Sequence, residues 1–161
     1  MRRRTFETKN LGAFLDMIAF SEIGPQLLQE SDDGYNVVVG SVPGHPILFH
    51  SYADHPRKLV HLRPGLASSA AGRYQVLERN YDFYKLKLRL PDFSPESQDA
   101  IAAQLVKECH AFSNLVEGDF EGAVHKCAHI WASLPGAGYG QHENKMEALR
   151  EAFIQAGGVL A

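Results

Sequence analysis

Apolar residues near the start of the chain recur every three or four positions, which is the spacing of one face of an α-helix. The residues with this spacing are Leu11, Phe14, Leu15 and Ile18. Glu22 comes four positions after Ile18 and therefore belongs to the same apolar face. Gly24 and Pro25 follow, and this pair predicts the end of the helix. The pattern thus puts a carboxyl group on the inward face of the last helical turn.

The next part of the chain has the pattern of short strands. Residues 35–39 are rich in β-branched side chains, residues 40–44 supply turn residues, and residues 47–52 resume an extended pattern. We therefore expect a β-hairpin. A further strand over about residues 58–61 would complete a small antiparallel sheet of about three strands.

Helical spacing returns after this sheet. A helix is predicted from Ala71 onward and ends before Pro91. Its inward positions are Tyr74, Leu77, Tyr81, Tyr84 and Leu88. Ser94 before Pro95 predicts the N-cap and first residue of another helix, and Asp119 predicts the cap of one more.

Residues 134–140 are rich in glycine and are predicted to form a loop. The last helix is expected from about His142 to Gly157 and Gly158. Together these elements predict an α+β fold in a single domain over residues 1–161. A small β lobe of about residues 31–70 follows the first helix, and a larger helical lobe covers about residues 71–161.

Composition and charge narrow the classes of partner. The formal net charge of −3 argues against a non-specific nucleic-acid binder, whose domain would be basic. Residues 1–90 carry 12 Lys and Arg against 9 Asp and Glu, whereas residues 91–161 carry 4 against 10. The weakly basic first half suits either an anionic polymer or a plain solvated surface, and the charge pattern leaves both open.

The cysteine content and the absence of long apolar runs bear on where the protein works. Cys109 and Cys127 are too few for a disulfide framework, so free thiols are expected. Arg2, Arg3 and Arg4 are followed by polar residues rather than an apolar segment, so no signal peptide is expected. No apolar run is long enough to cross a bilayer. We expect synthesis in the cytoplasm and no stable membrane insertion.

Glu22 is the strongest candidate for chemistry. Apolar neighbours and the negative end of the helix dipole both disfavour a charged carboxylate, so its pKa should be raised. A general acid working near neutral pH needs such a pKa. Spacing alone leaves open the alternative of a solvated glutamate at a helix end.

Other combinations of residues give weaker evidence for a catalytic or binding site. His125 and His129 have the spacing of two zinc ligands, but no glutamate lies between them and no further ligand is assigned, so no metal is expected. The sequence also lacks a nucleophile elbow and a phosphate-binding loop. A two-carboxylate glycosidase would need a partner for Glu22. The candidates are Asp32, Asp33 and Asp54, for which a local turn-forming role is the alternative.

Six segments, in order, carry a resemblance to a known family. They are residues 13–22 (AFLDMIAFSE), 34–40 (GYNVVVG), 52–60 (YADHPRKLV), 71–75 (AGRYQ), 92–100 (DFSPESQDA) and 130–141 (IWASLPGAGYGQ). In these segments the chain closely resembles the lambda-type phage lysozymes, which are endolysins that act as lytic transglycosylases. The ordered segments extend over nearly the whole chain, which makes the resemblance specific.

The resemblance implies a lysozyme-like fold with a glycan cleft between a small antiparallel sheet lobe and a larger helical lobe. Glu22 carries over as the catalytic residue. It is expected to protonate the oxygen between N-acetylmuramic acid and N-acetylglucosamine in peptidoglycan, and then to take the proton of the muramic acid 6-hydroxyl. The product is a 1,6-anhydro sugar. No water is consumed, so no second carboxylate is required.

The resemblance also suggests which residues line the cleft and where doubt lies. The candidates for substrate binding are Tyr52, Asp54, Gln75 and Tyr139, with packing as the alternative role for each. The chain departs from the family in residues 23–25, in a hairpin longer by residues 42–46, and in Asn36, which replaces an aspartate. These departures leave open a hydrolytic muramidase in which Asp32 or Asp33 positions a water molecule.

The resemblance further implies a biological setting. The enzyme is expected to need no cofactor, to act as a monomer on peptidoglycan glycan strands, and to serve in host cell lysis. It would be made in the host cytoplasm and reach the wall in the periplasm after a holin has permeabilised the membrane.

Overall fold

The computed structural model describes residues 5–161 and divides into two compact units. One unit includes residues 23–101, and the other combines residues 5–22 with residues 102–161. We call them the sheet unit and the helical unit. The basic residues 2–4, on which the expectation of no signal peptide partly rests, lie outside the described part of the chain.

The first helix, α1, runs over Lys9–Ile23 and agrees with the sequence prediction. Its apolar stripe is fully buried, with Leu11, Phe14, Leu15 and Ile18 each at most 1% exposed. Helix α2 follows directly over Pro25–Gln29 because Gly24, at φ +86°, adopts a left-handed conformation that breaks the helical path. Leu27 on α2 packs with Ile23 and Val37 in the core of the sheet unit.

The predicted three-stranded sheet is wrong in its extent. The structure has a two-stranded antiparallel sheet of β1, Val60–Arg63, and β2, Leu66–Ser68. Residues 36–39 and 47–49 do face each other, through an isolated bridge between Val37 and Leu48, but do not form continuous strands. Turn residues and the prolines between these segments, which lack an N–H donor, limit the ladder to single bridges.

The next helix also begins later than predicted. Helix α3 covers Glu78–Lys87, whereas the sequence predicts a start at Ala71. Residues 71–76 instead form a tight turn, in which the main chains of Ala71 and Val76 exchange hydrogen bonds of 3.1 and 2.9 Å. Gly72 and Gln75 have φ values of +85° and +51°, which no helix accommodates. The turn is therefore set by backbone conformation rather than by apolar spacing.

The remaining helices are α4 (Pro95–Glu108), α5 (Phe112–Val116), α6 (Phe120–Cys127) and α7 (Met146–Gln155). Helix α4 begins at Pro95 with the hydroxyl of Ser94 accepting from the Ser97 N–H, as predicted. Asp119 caps α6 as predicted, its carboxylate accepting from the Gly122 N–H at 3.0 Å. In the helical unit, the Phe120 ring packs against Phe14 and Phe153 at centroid distances of 6.2 and 4.8 Å.

Helix α7 starts at Met146, four residues later than predicted. The Asn144 N–H donates to the Ser133 carbonyl at 2.8 Å, which keeps residues 142–144 in the preceding loop. In the part of the chain that the structure describes, no helix combines the length and apolar character needed to cross a membrane.

Candidate active site

Glu22 lies in the last turn of α1 and its side chain is only partly accessible to water. The residues on either side, Ser21 and Ile23, are buried. This environment removes most of the hydration that a charged carboxylate requires. Burial therefore raises the pKa of Glu22 to about 7, while a hydrogen bond from the Ser133 hydroxyl opposes that rise.

The raised pKa agrees with the sequence-based expectation and suits a general acid. Near neutral pH a substantial fraction of Glu22 is protonated and can give up its proton, and its carboxylate remains basic enough to accept one. The pKa of Glu22 reflects burial and Ser133, and no charged side chain among the described residues adds to these two causes.

Polar residues missed by the sequence analysis form a hydrogen-bonded chain that reaches Glu22. The Ser133 hydroxyl, which bonds to Glu22, lies 2.8 Å from the Ser21 hydroxyl. The Asn144 side-chain amide donates to the Ser21 hydroxyl at 3.0 Å and to the Ser21 carbonyl at 3.1 Å. Ser133 and Asn144 are more than 100 residues from Glu22 in the chain, so no local pattern indicates that they meet.

Tyr139 lies on the glycine-rich loop between Ser133 and Asn144. Tyr139 is 56% exposed, and its hydroxyl donates to the His129 carbonyl at 2.8 Å. The Glu143 carboxylate accepts from the Gly136 and Gly138 N–H groups, both at 3.0 Å. These bonds lower the pKa of Glu143 and brace the loop. The loop therefore presents an exposed aromatic face on a fixed backbone.

The sheet unit holds the three candidate second carboxylates, and two of them, Asp32 and Asp33, each bind a neighbouring side chain. The Tyr52 hydroxyl donates to the Asp32 carboxylate at 2.5 Å. Asp33 forms an ion pair of 2.9 Å with Arg73, a buried residue whose guanidinium also lies over the Tyr35 ring. The structure thus brings two predicted residues, Tyr52 and Asp32, into direct contact.

Asp54 belongs to an exposed ionic cluster. The Arg57 guanidinium binds Asp54 at 2.7 Å, Asp82 at 2.6 Å and Glu78 at 3.1 Å. The Arg57 bonds hold the pKa values of Asp54 and Asp82 below their ordinary range. Gln75, half-buried in the turn before α3, donates to the Gly72 carbonyl at 2.9 Å. Its side chain therefore supports the turn as well as being a candidate for substrate binding.

The histidine and cysteine side chains of the helical unit do not assemble a metal site. Within residues 5–161, no group of three or more His, Cys, Asp or Glu side chains is placed to hold an ion. His125 and His129 are both exposed. Cys109 and Cys127 are buried free thiols, and His129 lies 3.9 Å from the Cys109 sulfur.

Comparison with known proteins places this arrangement in a family. The chain is 50% identical over 149 residues to the endolysin of Escherichia phage lambda, covering 92% of this chain and 91% of that protein. It is 44% identical over 160 residues to the endolysin of Escherichia phage P2, covering 95% and 96% of the two chains.

Solved structures agree with this match. Bacteriophage lambda lysozyme complexed with a chitohexasaccharide superposes with a TM-score of 0.88 at 46% identity, over 98% of this chain and all of that one. A second structure of lysozyme from bacteriophage lambda gives a TM-score of 0.85 at the same identity and coverage. The fold is therefore the α+β lysozyme-like fold that the resemblance implied. The endolysin family model matches residues 12–160, and the chain belongs to the endolysin family.

Proposed function

We propose that this endolysin cleaves the bond between N-acetylmuramic acid and N-acetylglucosamine of peptidoglycan by lytic transglycosylation, forming 1,6-anhydro ends. Membership of the endolysin family supports a lysozyme-type, wall-lytic enzyme. Lambda lysozyme, whose fold is similar, has been solved with a chitohexasaccharide, and this supports a glycan as substrate. The single observation that carries the mechanism is Glu22, a partly buried carboxyl with a pKa of about 7.

In the proposed reaction Glu22 acts first as an acid. Its proton goes to the glycosidic oxygen, the bond from that oxygen to the muramic acid C1 breaks, and the glucosamine leaves with a free 4-hydroxyl. The 6-hydroxyl of the same muramic acid then forms a bond to C1 and gives its proton to the Glu22 carboxylate. Atoms balance without water, and Glu22 returns to its protonated state for the next turnover.

The contacts of Asp32 and Asp33 support this single-carboxylate mechanism. An inverting or retaining hydrolase needs a second carboxylate to activate water or to attack the sugar. Asp32 already accepts a hydrogen bond from Tyr52, and Asp33 is paired with Arg73. Both therefore have structural roles that account for their presence without a catalytic one.

We also propose that Tyr52, Asp54, Gln75 and Tyr139 contact the glycan. The exposed ring of Tyr139 offers an apolar face on which a sugar can stack, while its hydroxyl remains bound to the backbone. Asp54 presents carboxylate oxygens at an exposed position. Tyr52 and Gln75 are half-buried and offer a hydroxyl and an amide. The enzyme would act as a monomer on the periplasmic wall after holin permeabilisation, with no cofactor.

Digestion of purified peptidoglycan in heavy-oxygen water tests the mechanism. Transglycosylation leaves no label at the muramic acid terminus and gives non-reducing anhydro ends. Labelled reducing ends would instead establish a hydrolytic muramidase.

The Glu22→Gln variant tests an alternative of another class, in which the protein is a glycan-binding module without catalytic activity. A parent protein that binds sacculi but never lyses them would favour that rival, and a fully lytic Glu22→Gln variant would refute the role of Glu22.

A further inference from the structure

The hydrogen bonds around the charged form of Glu22 share one direction, because a carboxylate only accepts and the Ser133 hydroxyl therefore donates to it. The Asn144 side chain lies 3.1 Å from the Ser21 carbonyl, which can only accept. The group that faces Ser21 is therefore the amide NH₂, and the same nitrogen lies 3.0 Å from the Ser21 hydroxyl. Because an amide NH₂ donates and does not accept, the Ser21 oxygen receives a hydrogen from Asn144.

The donors and acceptors of the next two hydrogen bonds, which lead to Glu22, can be assigned in the same way. With its oxygen accepting from Asn144, the Ser21 hydroxyl is free to donate to the Ser133 oxygen, 2.8 Å away. The Ser133 hydroxyl in turn has its hydrogen available for the Glu22 carboxyl, to which it is bonded. We call this ordered chain from Asn144 through Ser21 and Ser133 the donor relay.

We propose that Ser133, oriented by Ser21 and Asn144, is a positioning residue that determines which oxygen of the Glu22 carboxyl carries the catalytic proton. A carboxyl oxygen that accepts the Ser133 hydrogen acts as the carbonyl-type oxygen, so the acidic proton resides on the other one. This inference rests on the proposed role of Glu22 as the acid. It adds the group that orients the acid, and Ser133 is assigned a contact with the Glu22 carboxyl and none with the sugar.

The backbone supports the relay independently of the side chains. The Asn144 N–H donates to the Ser133 carbonyl at 2.8 Å. This bond joins the two ends of the loop that carries Tyr139. Ser133 and Asn144 are therefore held side by side at the two ends of one loop. Ser21 and Glu22 are consecutive on the rigid last turn of α1, so the acceptor end of the relay is held as firmly.

A pH titration of Glu22 itself tests the relay without turnover. The carboxyl carbon is followed by ¹³C NMR in protein labelled at glutamate side chains, and the Glu22 signal is assigned by its loss in Glu22→Gln. Removing one hydrogen bond to the charged form should raise the Glu22 pKa in Ser133→Ala by about one pH unit. Ser133→Thr keeps the hydroxyl and should restore the parent value. Ser21→Ala and Asn144→Ala should shift it the same way by less.

Kinetics complete the test. In Ser133→Ala we expect kcat to fall on the order of tenfold with KM little changed, and the alkaline limb of the pH profile to move upward with the NMR pKa. Ser113→Ala, an exposed serine of the same unit, is the matched control and should leave both unchanged. Circular dichroism and thermal unfolding confirm that each variant is folded.

The outcomes separate the relay from the proposed function. A Glu22 pKa that stays constant in Ser133→Ala, or Thr and Ala variants that behave alike, would overturn the relay. Full activity of Glu22→Gln would overturn the proposed function even where the NMR shift is seen. The relay as a positioning device is supported by a pKa shift in Ser133→Ala, its reversal in Ser133→Thr, and the matching change in kcat.

Discussion

The hydroxyl of Tyr52 donates a 2.5 Å hydrogen bond to the exposed carboxylate of Asp32. Partial burial, together with the hydrogen bond to Asp32 and its charge, raises the pKa of Tyr52, so the phenol stays protonated and the pair persists over the working pH range. An Asp32 carboxylate held in this way orients Tyr52. We therefore expect the pair to position a candidate substrate-binding ring rather than to activate water.

Asp32→Asn should consequently retain most of the activity and the same anhydro product. Loss of a true general base costs about 10²- to 10⁴-fold, whereas loss of a supporting hydrogen bond costs far less. Initial rates on purified sacculi, with chromatography of the products, check this. Asp33→Asn is the companion variant, since Asp33 is paired with Arg73. A hundredfold loss of rate in either variant would point to the hydrolytic mechanism.

The alkaline limb of kcat/KM should have an apparent pKa of about 7. Glu22 must be protonated in the free enzyme to donate its proton, and burial raises its pKa to that value. Activity should therefore be high at pH 5 to 6 and fall as the pH rises above about 7. Rates measured at constant ionic strength on a soluble peptidoglycan fragment give the profile. An alkaline limb whose apparent pKa lies near that of an ordinary glutamate would show that the Glu22 carboxyl is solvated during catalysis.

The buried acid should also reduce stability at high pH. The folded chain binds a proton at Glu22 more tightly than the unfolded chain, so the free energy of unfolding falls as the pH rises between about 4.5 and 7. Glu22→Gln removes this titration. Relative to the parent, the variant should gain about 2 to 3 kcal/mol between pH 4.5 and pH 8.5. Urea unfolding at the two pH values measures the gain, and a difference that does not vary with pH would contradict it.

His55 should have the opposite effect, on the acid side. It is 2% exposed, its Nε2 hydrogen bonds to the Val76 carbonyl at 2.9 Å, and its Nδ1 accepts from the Arg57 N–H at 3.0 Å. Burial lowers the pKa of His55, so the folded state resists protonation and its stability falls as the pH drops below about 6.5. Several carboxylates also weaken the fold in acid, so the informative quantity is the difference between variant and parent.

His55→Gln should therefore destabilise the protein more at pH 8 than at pH 5, because the parent benefits from the neutral imidazole only at the higher pH. Denaturant unfolding at both pH values tests this. His125→Gln, at an exposed histidine on α6, serves as the control for the loss of an imidazole alone. Equal destabilisation at the two pH values would show that His55 acts only through packing.

Gly72 is expected to be far less tolerant than Gly44, although the two have nearly equal φ values of +85° and +84°. A Cβ at Gly72 would lie 2.3 Å from the Gln98 side-chain oxygen, whereas Gly44 has nothing within 4 Å. Gly44→Ala should cost about 1 kcal/mol from backbone strain alone. Gly72→Ala should cost at least about 2 kcal/mol more, since Gln98 is buried and bound to Tyr35 and Phe93. Equal losses would show that Gln98 can move aside.

How far the sequence predicts this molecule depends on the range of each interaction. Helix α1, the Asp119 cap and the start of α4 at Pro95 follow from neighbours a few residues apart, and all were predicted. The start of α3 was not, because Gly72 and Gln75 adopt left-handed conformations inside an apolar pattern that suits a helix. Burial of the Glu22 face was a local consequence of α1. The hydrogen-bond donor to Glu22 could not be predicted locally, because the tertiary fold brings Ser133 to Glu22 from more than 100 residues away.

The donor relay also bears on the order in which the protein becomes competent during synthesis. Glu22 leaves the ribosome more than 100 residues before Ser133 and Asn144, and the unit that holds it is built from residues 5–22 together with residues 102–161. Asn10 near the start of α1 bonds to the Leu115 and Val159 carbonyls. These contacts of α1 can therefore form only after the C-terminal part of the chain has been synthesised. For most of translation, the nascent chain therefore contains Glu22 but not Ser133 and Asn144, the residues proposed to orient it. Lytic competence would arise late and abruptly.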